Sequence, residues 1–206
     1  MLRSLVGSEM CIRDSSYSQW ARHSLLHELV EHPILSHAKL IAESWDLGGY
    51  FVGAMPSGWC EWNGGYRDTV RQFIRGDFGQ VPELIKKIFG SVDVFHANKN
   101  GYQSSINFIC CHDGFTMWDL VSYNLKHNLL NGENNQDGEN NNHSYNHGEE
   151  GVTENPHIIS LRKQQIKNII LILSNISSSI VQHCPHIHYL NYLLFQIPIF
   201  HKFFSQ

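Results

Sequence analysis

The sequence predicts an α/β architecture with parallel strands, and three observations carry that prediction. Two short apolar runs, Leu40-Ile41-Ala42 and Ser105 to Cys111, read as buried strands. Each closes on an acid, Glu43 and Asp113, and then enters a glycine-bearing loop. Between them lie about 65 residues with helical periodicity, which is crossover material for parallel strands. Open and closed parallel sheets present their chemistry at the carboxyl ends of the strands, so acids at both ends point to one shared edge. At 206 residues the chain is long enough for one sizeable domain and short for two.

Taken in order, residues 1–15 show no clean period. VGSEMCIRDS resembles translated adapter sequence, so this segment is expected to be non-native or disordered. From His23 the apolar positions Leu25, Leu26, Leu29 and Val30 make one helical face, which Pro33 ends. Lys39 to Glu43 is the first strand, and Trp45 to Tyr50 is a loop announced by Gly48 and Gly49. Residues 50–65, with Trp59 and Trp62, read as an aromatic loop. Tyr66 to Gly76 reads as a helix with Val70, Phe73 and Ile74 on one face and Gly76 as its stop. Val81 to Phe89 is a second short helix, Ser105 to Cys111 the second strand, and Phe115 to His127 a helical or turn stretch. The asparagine-rich segment 131–148 is a polar loop. Asn155 to Ser174 is helical, with Pro156 suited to its first turn. Residues 175–206 lose all regular pattern around Pro185 and Pro198, and are expected to be an aberrant or disordered tail.

Composition excludes several classes. A net charge of -4 lacks the basic excess of a nucleic-acid binder. There is no run of 18 apolar residues, so no membrane-spanning helix is expected, and the N-terminus has no secretory signal. Five cysteines without a CxxC pair argue against a disulfide scaffold and a four-cysteine zinc site. For the vicinal Cys110-Cys111 at a strand end, packing is favoured over redox chemistry. The His183-Cys184-Pro185-His186-Ile187-His188 cluster has no partner CxxC and no flanking groups to orient its ligands, so it is not read as a metal site. Residues 133–144 fail the EF-hand pattern at the first and last positions, Glu133 and Ser144. No cofactor is expected, with a structural calcium through Asp137, Glu139 and backbone oxygens as the secondary expectation.

Two acids converging from parallel strands are the apparatus of glycoside hydrolysis, in which one protonates the leaving oxygen and others stabilise or attack an oxocarbenium ion. The competing reading is that each acid caps the following turn. Four ordered motifs favour the first. Residues 39–49, KLIAESWDLGG, are similar to the KLIAE-x-WD-x-GG segment of isoamylase-type debranching enzymes of the α-amylase superfamily. EWNGGYRD at 61–68, INFICCHDGFT at 106–116, and NGEN at 131–134 with Asp137-Gly138 resemble further motifs of the same family. The resemblance runs from about His23 to Ser174.

That resemblance implies a (β/α)₈ barrel, of which residues 16–174 would hold roughly strands five to seven and the helix after them. It implies that Glu43 is the general acid/base, that Asp113 binds sugar hydroxyls and stabilises the transition state, and that His112 contacts substrate. Trp45 is a candidate for stacking on sugar rings, as are Trp59 and Trp62, with rim packing an equal alternative for each. The implied substrate is a branched α-glucan, cleaved with retention at α-1,6 branch points. The general acid must be held protonated, which burial and neighbouring negative charge achieve. The family's nucleophilic aspartate has no counterpart in residues 1–38, where Asp14 sits in unrelated surroundings. The strand-eight motif is likewise missing after Asn168. The expectation is therefore a fragment that is inactive and poorly folded alone, with a non-catalytic glucan-binding remnant as the alternative. The family is cytoplasmic in bacteria and plastidic in plants and algae, and the chain carries no address.

Overall fold

A computed structural model describes residues 24–46, 49–96 and 101–176. The expectations for residues 1–15 and for the tail beyond 176, including His183 and Cys184, lie outside the described residues. The chain divides into two compact units, residues 1–63 with 86–106, and residues 64–85 with 107–206.

In the first unit, α1 (Ser24–Glu31) is followed by a 3-10 turn at Leu35–His37. Strand β1 is Leu40–Ala42, and β2 (Trp45–Asp46) pairs antiparallel with β3 (Gly49–Tyr50) as a minimal hairpin. Strand β4 is Trp59–Trp62. The second unit contributes helix α2 (Gly64–Arg75), and the division between units falls within α3 (Val81–Ile88). A single turn, α4 (Val92–Phe95), and a 3-10 turn (Gly101–Ser104) lead to β5 (Ser105–Ile106). The last element is α5 (Pro156–Ile176) of the second unit.

The first unit is built on a three-stranded sheet in the order β1-β4-β5, with both pairings parallel. Its register sets Ala42 beside Glu61 and Glu61 beside Ser105. Leu26 of α1 joins Ala42, Ala54 and Met55 in an apolar core flanked by Phe51 and Trp59. The Trp59 indole N–H donates to the Leu26 carbonyl at 3.0 Å, which spends its polar edge inside the packing. Gly58 is required where β4 begins. Its φ of +100° is left-handed, and a Cβ there would stand 2.5 Å from the Val30 side chain. At the carboxyl end of β4, buried Asn63 closes three bonds. Its N–H donates to Ile106 O, and its amide donates to the hydroxyls of Ser91 and Ser105, each at 2.9 Å.

The second unit has no described strand. Helix α2 buries Tyr66, Val70, Phe73 and Ile74 and packs against α5, which buries Ile158, Ile169 and Ile172. The long connection between Asn107 and Asn155 leaves carbonyls that no ladder satisfies, and two buried arginines supply the donors. Arg71 donates to Ile109 O and to Asn142 O, while Arg162, 1% exposed, donates to Gly151 O, Asn146 O and Glu149 O. Gly76 ends α2 at φ +92°, with its own N–H and that of Asp77 returning to Gln72 O.

Four elements differ from the sequence expectation. Residues 50–65 are not all loop, because Trp59–Trp62 is the central strand. A glutamate in a four-residue run masked it, since Glu61 is buried in the sheet rather than turned to solvent. The first strand is not buried throughout. It is an outer strand of the sheet, and Ile41 is 38% exposed. The second strand stops at Ile106, because Ile109 O is bound by Arg71 instead of a neighbouring strand. The 45–50 loop contains the β2–β3 pair. The result is a mixed α/β fold with a small parallel sheet, as the two apolar runs predicted, although Asp113 lies beyond the end of β5 rather than at it.

Candidate functional site

The carboxyl edge of the parallel sheet carries the first group of candidates. Glu43 leaves the end of β1 and is exposed, with no burial of the kind expected for a protonated general acid, while Ser44 behind it is fully buried. The buried carboxylate of this unit is Glu61, 0% exposed, one strand away. Its Oε2 accepts from the Gly53 N–H at 2.8 Å. Burial pushes the Glu61 carboxyl above the usual range, against the lowering pull of the Ser44 hydroxyl and of the Gly53 and Met55 backbone. Glu61 thereby ties the 44–55 connection, which follows Glu43, to the central strand. Trp45 is half-buried in the hairpin and stacks on Tyr50, with ring centroids 5.9 Å apart and planes 5° from parallel. Trp59 serves packing, as its bond to Leu26 O requires.

The second unit holds His112 and Asp113 on the wall of one cleft of about 600 Å³, shared with Tyr123, Lys126, His127 and Asp137. The cleft is polar and open enough for a hydrated ligand of sugar size. Asp113 Oδ1 accepts from the Cys111 thiol at 2.8 Å. That hydrogen bond, opposed by partial burial and aided by the positive charge of Arg67 and His112, holds the Asp113 carboxyl below the usual range. Burial, with Asp113 alongside, in turn pushes the Cys111 thiol up, so the thiol stays the donor. Arg67 of α2 reaches the same segment. Its guanidinium donates to Asp68 at 2.7 Å and to Cys111 Sγ at 3.8 Å, and lies 5.6 Å from the Phe108 ring centre. Asn142 completes the turn, its Oδ1 accepting from Phe115 N–H at 2.8 Å.

His127, which also lines the cleft, is held by Glu150. Desolvation raises its carboxyl, but bonds from the Asn124 N–H, His127, Asn146 and the Leu125 N–H prevail and hold it at about 2. His127 is thereby held at 3.0 Å from Glu150 and against the Tyr123 ring, 5.3 Å between centres.

The four residues singled out from sequence divide evenly, Glu43 and Trp45 in the first unit, His112 and Asp113 in the second. Within the second unit His112 and Asp113 share one cleft. Sequence reasoning missed Glu61, Asn63, Arg71, Lys126 and Glu150. The i, i+4 pair Arg67/Arg71 on one helix was a usable signal for two donors facing one segment, of which Arg71 is buried. At the expected calcium position the Lys126 ammonium donates to the carbonyls of Asp137 and Gly138, and Asp137 Oδ2 accepts from Asn131. Among the described residues no three His, Cys, Asp or Glu side chains gather to hold a metal ion.

The fold is mixed α/β with a small parallel sheet, and the second unit sets an aspartate beside a histidine on an open cleft. No family profile matches the chain. It is 50% identical over 151 residues to the glycogen operon protein GlgX homolog of Mycobacterium tuberculosis, covering 72% of this chain and 21% of that protein. It is 49% identical over 152 residues to the chloroplastic isoamylase SU1 of Zea mays, covering 72% and 19%, and 50% identical over 144 residues to the chloroplastic isoamylase 1 of Arabidopsis thaliana, covering 68% and 18%. Over about 70% of its length the chain is thus a close sequence relative of part of the GlgX homologs and isoamylases. It spans about a fifth of the length of these relatives.

Proposed function

We propose that this chain carries the acid-bearing part of a retaining glycoside hydrolase that opens α-1,6 branch points of glycogen or amylopectin. In that reading β1, β4 and β5 are strands five, six and seven of a (β/α)₈ barrel, and α5 is the helix after the seventh. Glu43 protonates the leaving glycosidic oxygen and later accepts a proton from water. Asp113 stays ionised opposite the oxocarbenium-like centre, where a preorganised charge is worth most in the transition state. His112 holds sugar hydroxyls beside it, and Trp45, stacked on Tyr50, offers a ring face to a pyranose. The observation that carries the reading is the open cleft in which the Asp113 carboxylate accepts from the Cys111 thiol, on the residues that match the family motif.

Retention needs a second carboxylate as nucleophile, about 5–5.5 Å from the acid. None of residues 1–38 fits that part, so the chain by itself binds branched glucan without turning it over. A purely glucan-binding remnant shares every feature except the chemistry. Relatives are named from chloroplasts and from bacteria, and we place this protein in the plastid or the bacterial cytoplasm according to its source. No described helix is long and apolar enough to cross a membrane. The test is titration of the full chain with a branched maltodextrin, alongside a reducing-sugar assay. The expected result is binding that weakens about tenfold in His112→Ala, a loss of about 1.4 kcal/mol, with no sugar release. Absence of binding overturns the glucan reading, and turnover abolished by Glu43→Gln overturns the inactivity of the chain.

A further inference from the structure

The asparagine-rich loop beside the cleft is bonded to the backbone of Asp113 through the Glu139 N–H, and one charged side chain holds the carbonyls just before that bond. The amide of Asn135 bridges the two ends of the turn, accepting from Asn128 N–H at 2.9 Å and donating to Lys126 O at 3.0 Å. Asn134, Asn135, Gly132 and Gly138 all adopt left-handed backbone, with φ of +51°, +61°, +83° and +64°. Asparagine and glycine are the residues that tolerate this, so the biased composition is structural. At the end of the loop Gly138 is pressed on Asp113, where a Cβ would stand 2.7 Å from Asp113 O. The next N–H, of Glu139, donates to that same carbonyl at 2.6 Å. The two carbonyls just before this contact, of Asp137 and Gly138, receive the Lys126 ammonium.

We propose that Lys126 is a positioning residue for Asp113, a built-in cation that seats the 131–139 loop against the Asp113 backbone and so fixes where its carboxylate points. An ammonium with three donors suits converging carbonyls that a bound metal ion would otherwise collect. Without the charge the Asp137 and Gly138 carbonyls lose their donor, the Glu139 N–H drifts from Asp113 O, and the Asp113 carboxylate leaves the Cys111 thiol. The importance of that position rests on reading Asp113 as the transition-state carboxylate. The position itself does not.

Cys111 supplies the reporter. Alkylation proceeds through the thiolate, and removing the adjacent carboxylate makes the thiolate easier to form. The experiment follows iodoacetamide labelling of each cysteine in the full chain by peptide mass spectrometry across pH. Asp113→Asn sets the rate for a lost contact. Lys126→Met, which keeps the stem without the charge, is expected to speed Cys111 labelling about threefold or more, the effect of roughly half a pH unit in the thiol. Lys126→Arg is expected to stay near the wild-type rate. Ethylammonium added to Lys126→Ala is expected to slow labelling back toward it. A wild-type rate in Lys126→Met while Asp113→Asn is fast overturns the proposal. So does an unchanged rate in Asp113→Asn. Equal acceleration of Cys60, Cys110 and Cys111 also overturns it, because that pattern is general loosening rather than positioning. No sugar enters the measurement, so failed glucan binding and a failed Lys126 effect are separate results.

Discussion

The two units order their candidate residues by different means. In the first, a strand ladder fixes the backbone, and Glu43 simply follows a strand whose place is set by pairing with β4. In the second, the segment from Asn107 to Asn155 has no described strand. Buried arginines, an asparagine-rich loop and a lysine hold it. The lesson is that several carbonyls of this segment are satisfied by side chains rather than by a ladder, those of Ile109 and Asn142 by Arg71 and that of Gly151 by Arg162. Such a scaffold loses more from a single polar truncation than a ladder does, because one lost donor leaves more than one acceptor unpaired.

The sharpest way to break this contrast is Arg162→Ala. It removes the donor to three loop carbonyls inside the second unit, and the expected cost is about 4 kcal/mol. Arg162→Lys should recover little, since a point charge cannot reproduce the fork. The counterpart in the first unit is Leu26→Ala, which opens a cavity in its core at an expected cost of about 3 kcal/mol. Urea unfolding of both variants, read by hydrogen exchange in each unit, checks the pair. If Leu26→Ala is clearly the more damaging, the polar scaffold is less critical than its bond pattern implies.

How much of this was legible in the sequence follows the same division. Periodicity located α1, α2, α3 and α5, because each turns an apolar stripe to a core. The acid-ended apolar runs located β1 and the start of β5. Periodicity is blind to β4, where Glu61 sits in the sheet and breaks the apolar run. It is equally blind to Arg71 and Arg162, since an arginine on a helix reads as solvent-facing until the carbonyls it satisfies are known. Asp113 was read as the acid closing the second apolar run and His112 through motif resemblance, and both line one cleft. Nothing in residue spacing announced that Cys111 would donate to Asp113 or that Lys126 would lie on Asp137 O.

Acidity separates the units by sign. Burial holds Glu61 above the usual carboxyl range in the first unit. An acid raised on folding adds stability below its unfolded value, near 4.5, and that contribution is lost as pH rises through the folded value. Glu61→Gln keeps an acceptor for the Gly53 N–H and removes the charge, so its stability relative to wild type should grow from pH 4.5 to pH 8. In the second unit burial lowers His143, with Arg75 and Arg71 lowering it further against Asp68 and Asp77, and burial with Arg162 lowers His147. A histidine lowered on folding supports the fold above its unfolded value, near 6.5, and that support is lost as pH falls through the folded value. Replacing both by Gln should flatten the loss between pH 7 and pH 5. Denaturation midpoints across pH check the two opposite slopes, and parallel slopes would remove the distinction.

The smallest expected effect tests whether charge alone, without burial, matters to the second unit. Arg75 and Asp77 pair just beyond the end of α2, both partly exposed, through a fork that includes a 2.7 Å bond to Asp77 Oδ1. The pair lowers the Asp77 carboxyl, by the Arg75 hydrogen bond first. Exposed pairs typically contribute under about 1 kcal/mol, because solvent screens them and long side chains lose freedom in holding them. The turn here is already closed by Gly76 and Asp77 N–H bonds to Gln72 O, independently of the ion pair. Asp77→Asn should therefore lower stability by about 0.5 kcal/mol, and 0.5 M salt should erase most of that difference. A salt-insensitive loss several times larger would mean that the pair, rather than the backbone turn, ends the helix. Arg75 would then belong with Arg71 and Arg162 as a structural donor, and the distinction between buried forks and surface charge in this unit would have to be redrawn.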